Sequence, residues 1–401
     1  MFKLEKKILE FVKRNYILFF MVFVTIIAIV VRIKMFSYDK GDYLYFLSPW
    51  FDDLKANGGF KALANYKGDY NAPYMTILAF LTYLPINSLI SIKLVSVIFD
   101  FALALSCGFL IKELVNKNKK EYFAITYSVV LFIPSVLLNG ACWAQCDSIY
   151  ATFVILSLLF LIKEKHVLSF IMLGVAFCFK LQFIFILPLY LVLYVVKKNF
   201  SLLNFLIIPF VNIILCLPAI IAGKPFLECI TIYFNQTSTY KESLVLNFPN
   251  IYKIFNGNPD IFYTVGELVT IFVCAFTLFF IIFKKIKFNN EKILLLAIWF
   301  ITIITFLLPG MHERYLFMGE ILSILYFIVY KKNGFFALFI NMCSIITYSN
   351  FLNAMSFEYM QLLSIGFLIV IYFYTKSVFY TLKDNSNNKK NIIKFNQKDF
   401  T

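Results

Sequence analysis

Apolar blocks of about twenty residues recur from Tyr16 to about residue 375, separated by short polar stretches in which lysine predominates. A helix of about 20 apolar residues crosses the hydrocarbon core of a bilayer. That repeated length constrains the chain more than any other feature. Hydrophobic residues make up 61% of the 401 positions and charged residues 15%, against roughly 45–50% and about 25% in soluble domains. A soluble globular enzyme, a disordered chain and a nucleic-acid-binding domain are all excluded. The fold class is all-α: a polytopic transmembrane helical bundle.

The formal charge of +15 then speaks to orientation rather than to nucleic acid. The excess lysine lies in short loops between apolar blocks, the positive-inside pattern. Lys3, Lys6, Lys7, Lys13 and Arg14 place the N-terminus in the cytoplasm, and the uncleaved run 16–36 is the first span. Outer segment 37–89 follows, with a short apolar stretch at 74–88 that ends at Pro85, read as a half-buried interfacial helix. Further spans are expected at 90–111, 121–138 and 148–162. The block 166–196 is long for one span and short for two. Two short helices meeting at Lys180–Gln182 put fourteen downstream basic residues inside and four outside (Lys224, Lys241, Lys253 and Arg314). One helix would reverse the split and break the rule. The remaining spans are expected at 200–222, 265–283, 292–308, 315–330, 333–350 and 357–375, with a second outer segment at 223–264. The total is about twelve, in one domain over 1–375, with both termini inside the plasma membrane and a basic cytoplasmic tail over 376–401.

Polar clusters stand out against this background, and the threading puts each on the outer face. They are GDYLYFLSPW with Asp42, preceded by Asp39; KGDYNAPYMTIL with Asp69; NGACWAQCDSIY with Trp143, Gln145 and Asp147; FKLQF with Lys180 and Gln182; and PGMHERYLF with His312, Glu313 and Arg314. Carboxylates come from early segments and cations from later ones. A carboxylate serves as general base toward a hydroxyl. Lys, Arg and His hold a phosphate and stabilise charge growing on it. A lipid-phosphate sugar calls for both. Asp52, Asp53 and Lys55 are read as solvated, His166 as a solvated inner-face residue, and Lys180 equally well as a snorkelling side chain. Asp100, mid-span, is either functional by the default for intramembrane charge or packed against a polar partner such as Lys93 or a serine. Most of the eight cysteines lie in apolar blocks as small hydrophobes. Cys142 and Cys146, spaced i,i+4, are the one pair that suggests a bridge.

These motifs together resemble the C-superfamily (GT-C) glycosyltransferases, polytopic enzymes that use polyprenyl- or dolichyl-phosphate sugars. The likeness is greatest to bacterial relatives of the glycosylphosphatidylinositol mannosyltransferases, and looser to the dolichyl-phosphate-glucose glucosyltransferases. It runs over about residues 16–375 and rests on GDY, DYNAP, NGACWAQCDSIY, KLQ and HERYLF in that order. The resemblance implies that Asp42 is the catalytic base, with Asp39 as the fallback. It implies that His312, Glu313 and Arg314 face the donor phosphate, joined by Lys180 and Gln182. Asp69, Trp143, Gln145 and Asp147 would line the cavity. Ala144 stands where relatives often have Gly, and Leu181 where many have Pro. The implied reaction moves a hexose, mannose favoured, from a polyprenyl-phosphate carrier to a glycan, glycolipid or protein acceptor with inversion. The implied partners are that donor, the acceptor and membrane lipids, without nucleic acid. No cofactor is called for, and no metal, because cations already meet the leaving monophosphate. Two other classes compete. A polysaccharide polymerase or ligase predicts a diphosphate donor and more arginine. A transporter or flippase predicts polar residues at the midplane, where Asp100 alone is a clear candidate, and no strong internal repeat accompanies it.

Overall fold

The computed structural model describes residues 3–239, 243–255, 257–353 and 359–384. The chain is helical almost throughout, as its apolar blocks require. A short helix α1 (Lys3–Arg14) precedes the first long one, α2 (Tyr16–Met35). The segment 37–89, expected as the first outer segment, holds α3 (Ser48–Ala56), a 3-10 turn (Gly59–Ala64) and α4 (Ala72–Leu81). Asn71 caps α4 by accepting from the Ala72 amide, with Pro73 in the first turn, where its missing N–H costs nothing. Seven of the ten α4 residues are buried, so α4 is not the half-exposed interfacial helix expected at 74–88. It packs on α3, the 3-10 turn and a later helix. Leu63, Tyr74 and Met75 form a second hydrophobic core there with Ile149, Cys216 and Cys229.

Helix α5 (Ser88–Leu114) is the longest, and α6 (Lys119–Leu131) returns beside it. The next span is not straight. Pro134 disfavours helical geometry at Ile133, which sits at ψ 125°. The four-residue α7 (Pro134–Leu137) and the wide π turn Leu138–Cys142 leave at 57° to α6. Then come α8 (Asp147–Ile162), α9 (His166–Phe179) and, after a 3-10 turn over Leu181–Ile186, α10 (Leu187–Lys197). The block 166–196 is therefore two helices, as the lysine count requires. They fold back on each other: the rings of Phe170 and Tyr190 lie 5.4 Å apart, and Tyr190 shares hydrogen bonds with Ser157 and Ser169. His166 is half-buried against Phe200 rather than fully solvated.

The second half comprises α11 (Ile207–Ala222), α12 (Phe226–Thr239), α13 (Pro259–Phe283), α14 (Asn290–Leu307), α15 (Phe317–Tyr330), α16 (Gly334–Leu352) and α17 (Met360–Lys383). Between them β1 (Val245–Leu246) pairs in parallel with β2 (Met311–His312), tying the second outer segment to the histidine. Helix α17 runs eight residues into what was expected to be tail. The tail from residue 385 onward, and Lys241, lie outside the described residues.

Among the described residues seven helices are long and apolar enough to cross a membrane, or eight with the bent pair. Length separates this from the expected twelve. Helices α8, α9 and α15 and the 181–197 segment have 17 residues or fewer, which at 1.5 Å per residue is less than a hydrocarbon core of about 30 Å. Of these, α8 and α15 sit inside the bundle, walled by other helices.

Candidate functional site

The site begins with two buried polar ties that fix the start of the first outer segment. Asp100 is not a free midplane carboxylate. Arg32 of α2 donates from Nε to its Oδ2 at 2.9 Å, Ser148 donates to Oδ1 at 2.6 Å, and both charged residues are buried. Arg32, and not Lys93, is the charged partner. Lys93 instead donates to the Met35, Phe36 and Tyr38 carbonyls at 3.1, 3.1 and 2.6 Å. That closes the C-terminal end of α2, where unpaired carbonyls and the helix dipole favour a cation. Gly41 follows at φ +62°, the left-handed region that favours glycine, and a Cβ there would sit 3.6 Å from the Trp143 indole nitrogen. The chain then presents Asp42.

The NGACWAQCD motif supplies the opposite wall. Ala144 takes φ +63°, a left-handed turn that stops the π coil. Such a φ favours glycine, so an alanine at 144 carries backbone strain. Beyond the turn, the Gln145 amide donates to the Asp42 carboxylate. Its carbonyl oxygen accepts from the Tyr70 hydroxyl at 2.9 Å and from Lys180 Nζ at 3.1 Å. Asp147, opening α8, accepts from Asn139 at 2.6 Å and pairs with Lys180 at 3.2 Å. Lys180 reaches these groups because it breaks the α9–α10 hairpin in extended geometry, at φ −150° and ψ 135°. From the far end of the sequence Arg314 completes the cluster. It lies 3.7 Å from Asp42, 3.9 Å from Asp147 and 3.2 Å from Glu313, with its guanidinium over the Trp143 ring at 5.1 Å.

Burial sets the charge states around Arg314. Burial pulls the guanidinium down, but Asp42, Tyr70, Glu313 and Asp147 outweigh it, so Arg314 stays charged. Burial, with Arg314 and Lys180 nearby, drives His312 well below the usual imidazole range. It is a neutral ring near pH 7, packed against Tyr315 at 5.1 Å. Burial pushes Glu313 up to about 7, against the pull of Arg314. Its Oε2 has no hydrogen-bond partner among the described residues.

A cavity of about 1850 Å³ opens onto this cluster, larger than the roughly 300–1,000 Å³ that holds a drug-sized ligand. Asp42, Gln145, Lys180, Gln182, His312 and Arg314 face it, with Asp69 and Trp50 on the wall of the first outer segment. Away from these groups the wall turns apolar: Leu187 and Leu191 on α10, and Ile271, Cys274 and Leu278 on α13. From Tyr263 to Leu278 the wall follows α13 for about 22 Å at 1.5 Å per residue.

The structure thus brings Asp42, Gln145, Lys180, Gln182, His312 and Arg314 to one place. Asp39 is exposed and does not face the cavity. Trp143, Asp147 and Glu313 are buried behind the wall and do not line it. Two polar members escape a reading of the sequence. Tyr70 lies inside the KGDYNAP motif, and Asn139 opens NGACWAQCD. Their signal is their place in motifs already noticed, but neither carries a charge. All eight cysteines are free, Cys142 and Cys146 included. Among the described residues no group of three His, Cys, Asp or Glu is placed to hold a metal ion. No protein-family model matches the chain, and no curated protein is significantly similar to it.

Proposed function

We propose that this multi-pass protein is a membrane glycosyltransferase of the C-superfamily type. It moves a hexose, mannose favoured, from a polyprenyl-phosphate carrier to a hydroxyl acceptor at the outer face of the cell membrane. One observation carries the reading: a carboxylate and two cations share a cavity whose wall continues as an apolar groove along α10 and α13. The charged end suits a phosphate and a reacting sugar, and the groove suits a prenyl tail.

In this reading the donor phosphate takes up Arg314 and Lys180, drawing Arg314 off Asp42. The freed Asp42 carboxylate accepts the proton of the acceptor hydroxyl as that oxygen attacks the anomeric carbon. The bond to the phosphate oxygen breaks on the opposite side, and the configuration inverts. Negative charge on the departing lipid phosphate is met by Arg314 and Lys180, with neutral His312 as a further hydrogen-bond donor. Gln145 orients Asp42, and Asp147 fixes Lys180. The pairing of Asp100 with Arg32 favours this enzyme over a transporter, since the one clear midplane carboxylate is already engaged.

The test is release or transfer of label from radiolabelled polyprenyl-phosphate hexoses by the purified protein, with Asp42→Asn alongside. The expected loss in Asp42→Asn is roughly 10²–10⁴-fold, the usual contribution of a general base, with donor binding kept. Full activity of Asp42→Asn removes Asp42 as the base. No turnover with any monophosphate donor by folded, monodisperse protein overturns the donor class and turns attention to diphosphate-linked sugars.

A further inference from the structure

Helix α1 takes no part in the site described above. Every side chain described in it, from Leu4 to Arg14, is exposed. At 3.6 residues per turn Leu4, Ile8, Phe11 and Val12 fall on one face. Lys6, Lys7, Glu10, Lys13 and Arg14 fall on the other, with Glu5 and Leu9 at the border. No other element among the described residues covers the apolar face.

Three observations say what does. The Phe11 and Phe19 rings touch, with centroids 5.9 Å apart. Eight residues of straight helix would separate their backbones by about 12 Å, with both side chains leaning toward the N-terminus. The axis therefore turns at Asn15, where helical hydrogen bonding gives way to a turn. The apolar face of α1 thereby joins the exposed, apolar face of α2 that carries Phe19 and Phe23. Finally, the hydroxyl of Tyr16 donates to Glu121 at 2.9 Å, setting the bend beside the first turn of α6, next in sequence to Lys117, Lys119 and Lys120. Cations thus gather on one side of a span whose sequence places that side in the cytoplasm.

We propose that α1 is an anionic-phospholipid-binding helix lying in the plane of the cytoplasmic leaflet. Its Leu4–Ile8–Phe11 face sits at the acyl boundary, and Lys6, Lys7, Lys13 and Arg14 meet lipid phosphates. An amphipathic helix with cations on the polar face binds this way, by apolar burial plus attraction to anionic lipid. The inference does not depend on the reaction proposed above.

Amide hydrogen exchange of the full-length protein in lipid nanodiscs tests it. In discs of phosphatidylcholine with about one-third phosphatidylglycerol, amides of residues 4–14 should exchange about tenfold more slowly than in phosphatidylcholine alone. The rest of the chain serves as internal control. Combined Lys6→Gln, Lys7→Gln, Lys13→Gln and Arg14→Gln should abolish the difference. Glu10→Gln, which keeps every cation, should enlarge it. Equal protection in the two lipids, fast exchange in both, or a difference that survives loss of the four cations overturns the proposal.

Discussion

Replacing Glu313 by glutamine should change how stability depends on pH. Its carboxyl is raised from 4.5 to about 7, chiefly by burial. Between those two values the folded chain holds a proton that the unfolded chain has released. Stability is therefore greatest below about 4.5, falls as pH rises through the window and levels off above about 7. At about 1.4 kcal/mol per pH unit the full penalty is about 3 kcal/mol. Glutamine mimics the protonated carboxyl and carries no such penalty. The stability of the Glu313→Gln variant minus that of the parent protein should be about 1 kcal/mol larger near pH 5.5 than near pH 4, and about 3 kcal/mol larger by pH 8. Thermal unfolding in detergent can be followed by tryptophan emission, because Trp143 and Trp299 are buried and report loss of the core. A constant offset refutes the argument, because the shape of the difference curve depends only on the titration. A difference that shrinks as pH rises refutes its sign.

Three further outcomes follow from the packing. Asp100→Leu or Arg32→Met should each cost about 3–5 kcal/mol, while the two together should recover most of it, measured as a double-mutant cycle by thermal unfolding. Ala144→Gly should be neutral to about 1 kcal/mol stabilising, since a left-handed non-glycine residue costs about 1–2 kcal/mol and glycine's extra chain entropy returns part of it; a clear loss would contradict the observed φ. Lys93→Met should cost roughly 3 kcal/mol by stripping three carbonyls of their donor. It should also impair the proposed sugar transfer beyond its effect on the amount of folded protein, because the same segment delivers Asp42.

The sequence reveals helix positions well and helix roles less well. Apolar blocks and lysines locate α5, α11, α13 and the α9–α10 hairpin, because membrane insertion acts on those two signals directly. They do not reveal that α4, α8 and α15 are enclosed by other helices, which depends on packing between distant segments. Charge makes Asp42, Lys180 and Arg314 visible. Their mutual distances are not, since they come from positions 42, 180 and 314. Arg32 is hidden inside an apolar run and its meaning appears only beside Asp100, while Tyr70 and Asn139 are too ordinary to draw notice alone. The bend after α6 has its signal in Pro134, but hydrophobicity runs on unbroken across it and masks the break.

The order of charged partners along the chain has a consequence for biogenesis. Arg32 and Asp100 are made within one early stretch, so the two charges neutralise each other as soon as α5 enters the bilayer. Asp147 meets Lys180 only one hairpin later. Asp42 is different: its cation is Arg314, and 134 residues separate Lys180 from Arg314. At about 5–20 residues per second the ribosome needs roughly 7–27 seconds to cover that gap. Throughout that interval the nascent chain carries the carboxylate half of the site without its arginine. A chain truncated before residue 314 should accumulate as an inserted but uncompensated intermediate, and quality-control proteases would meet it in that state.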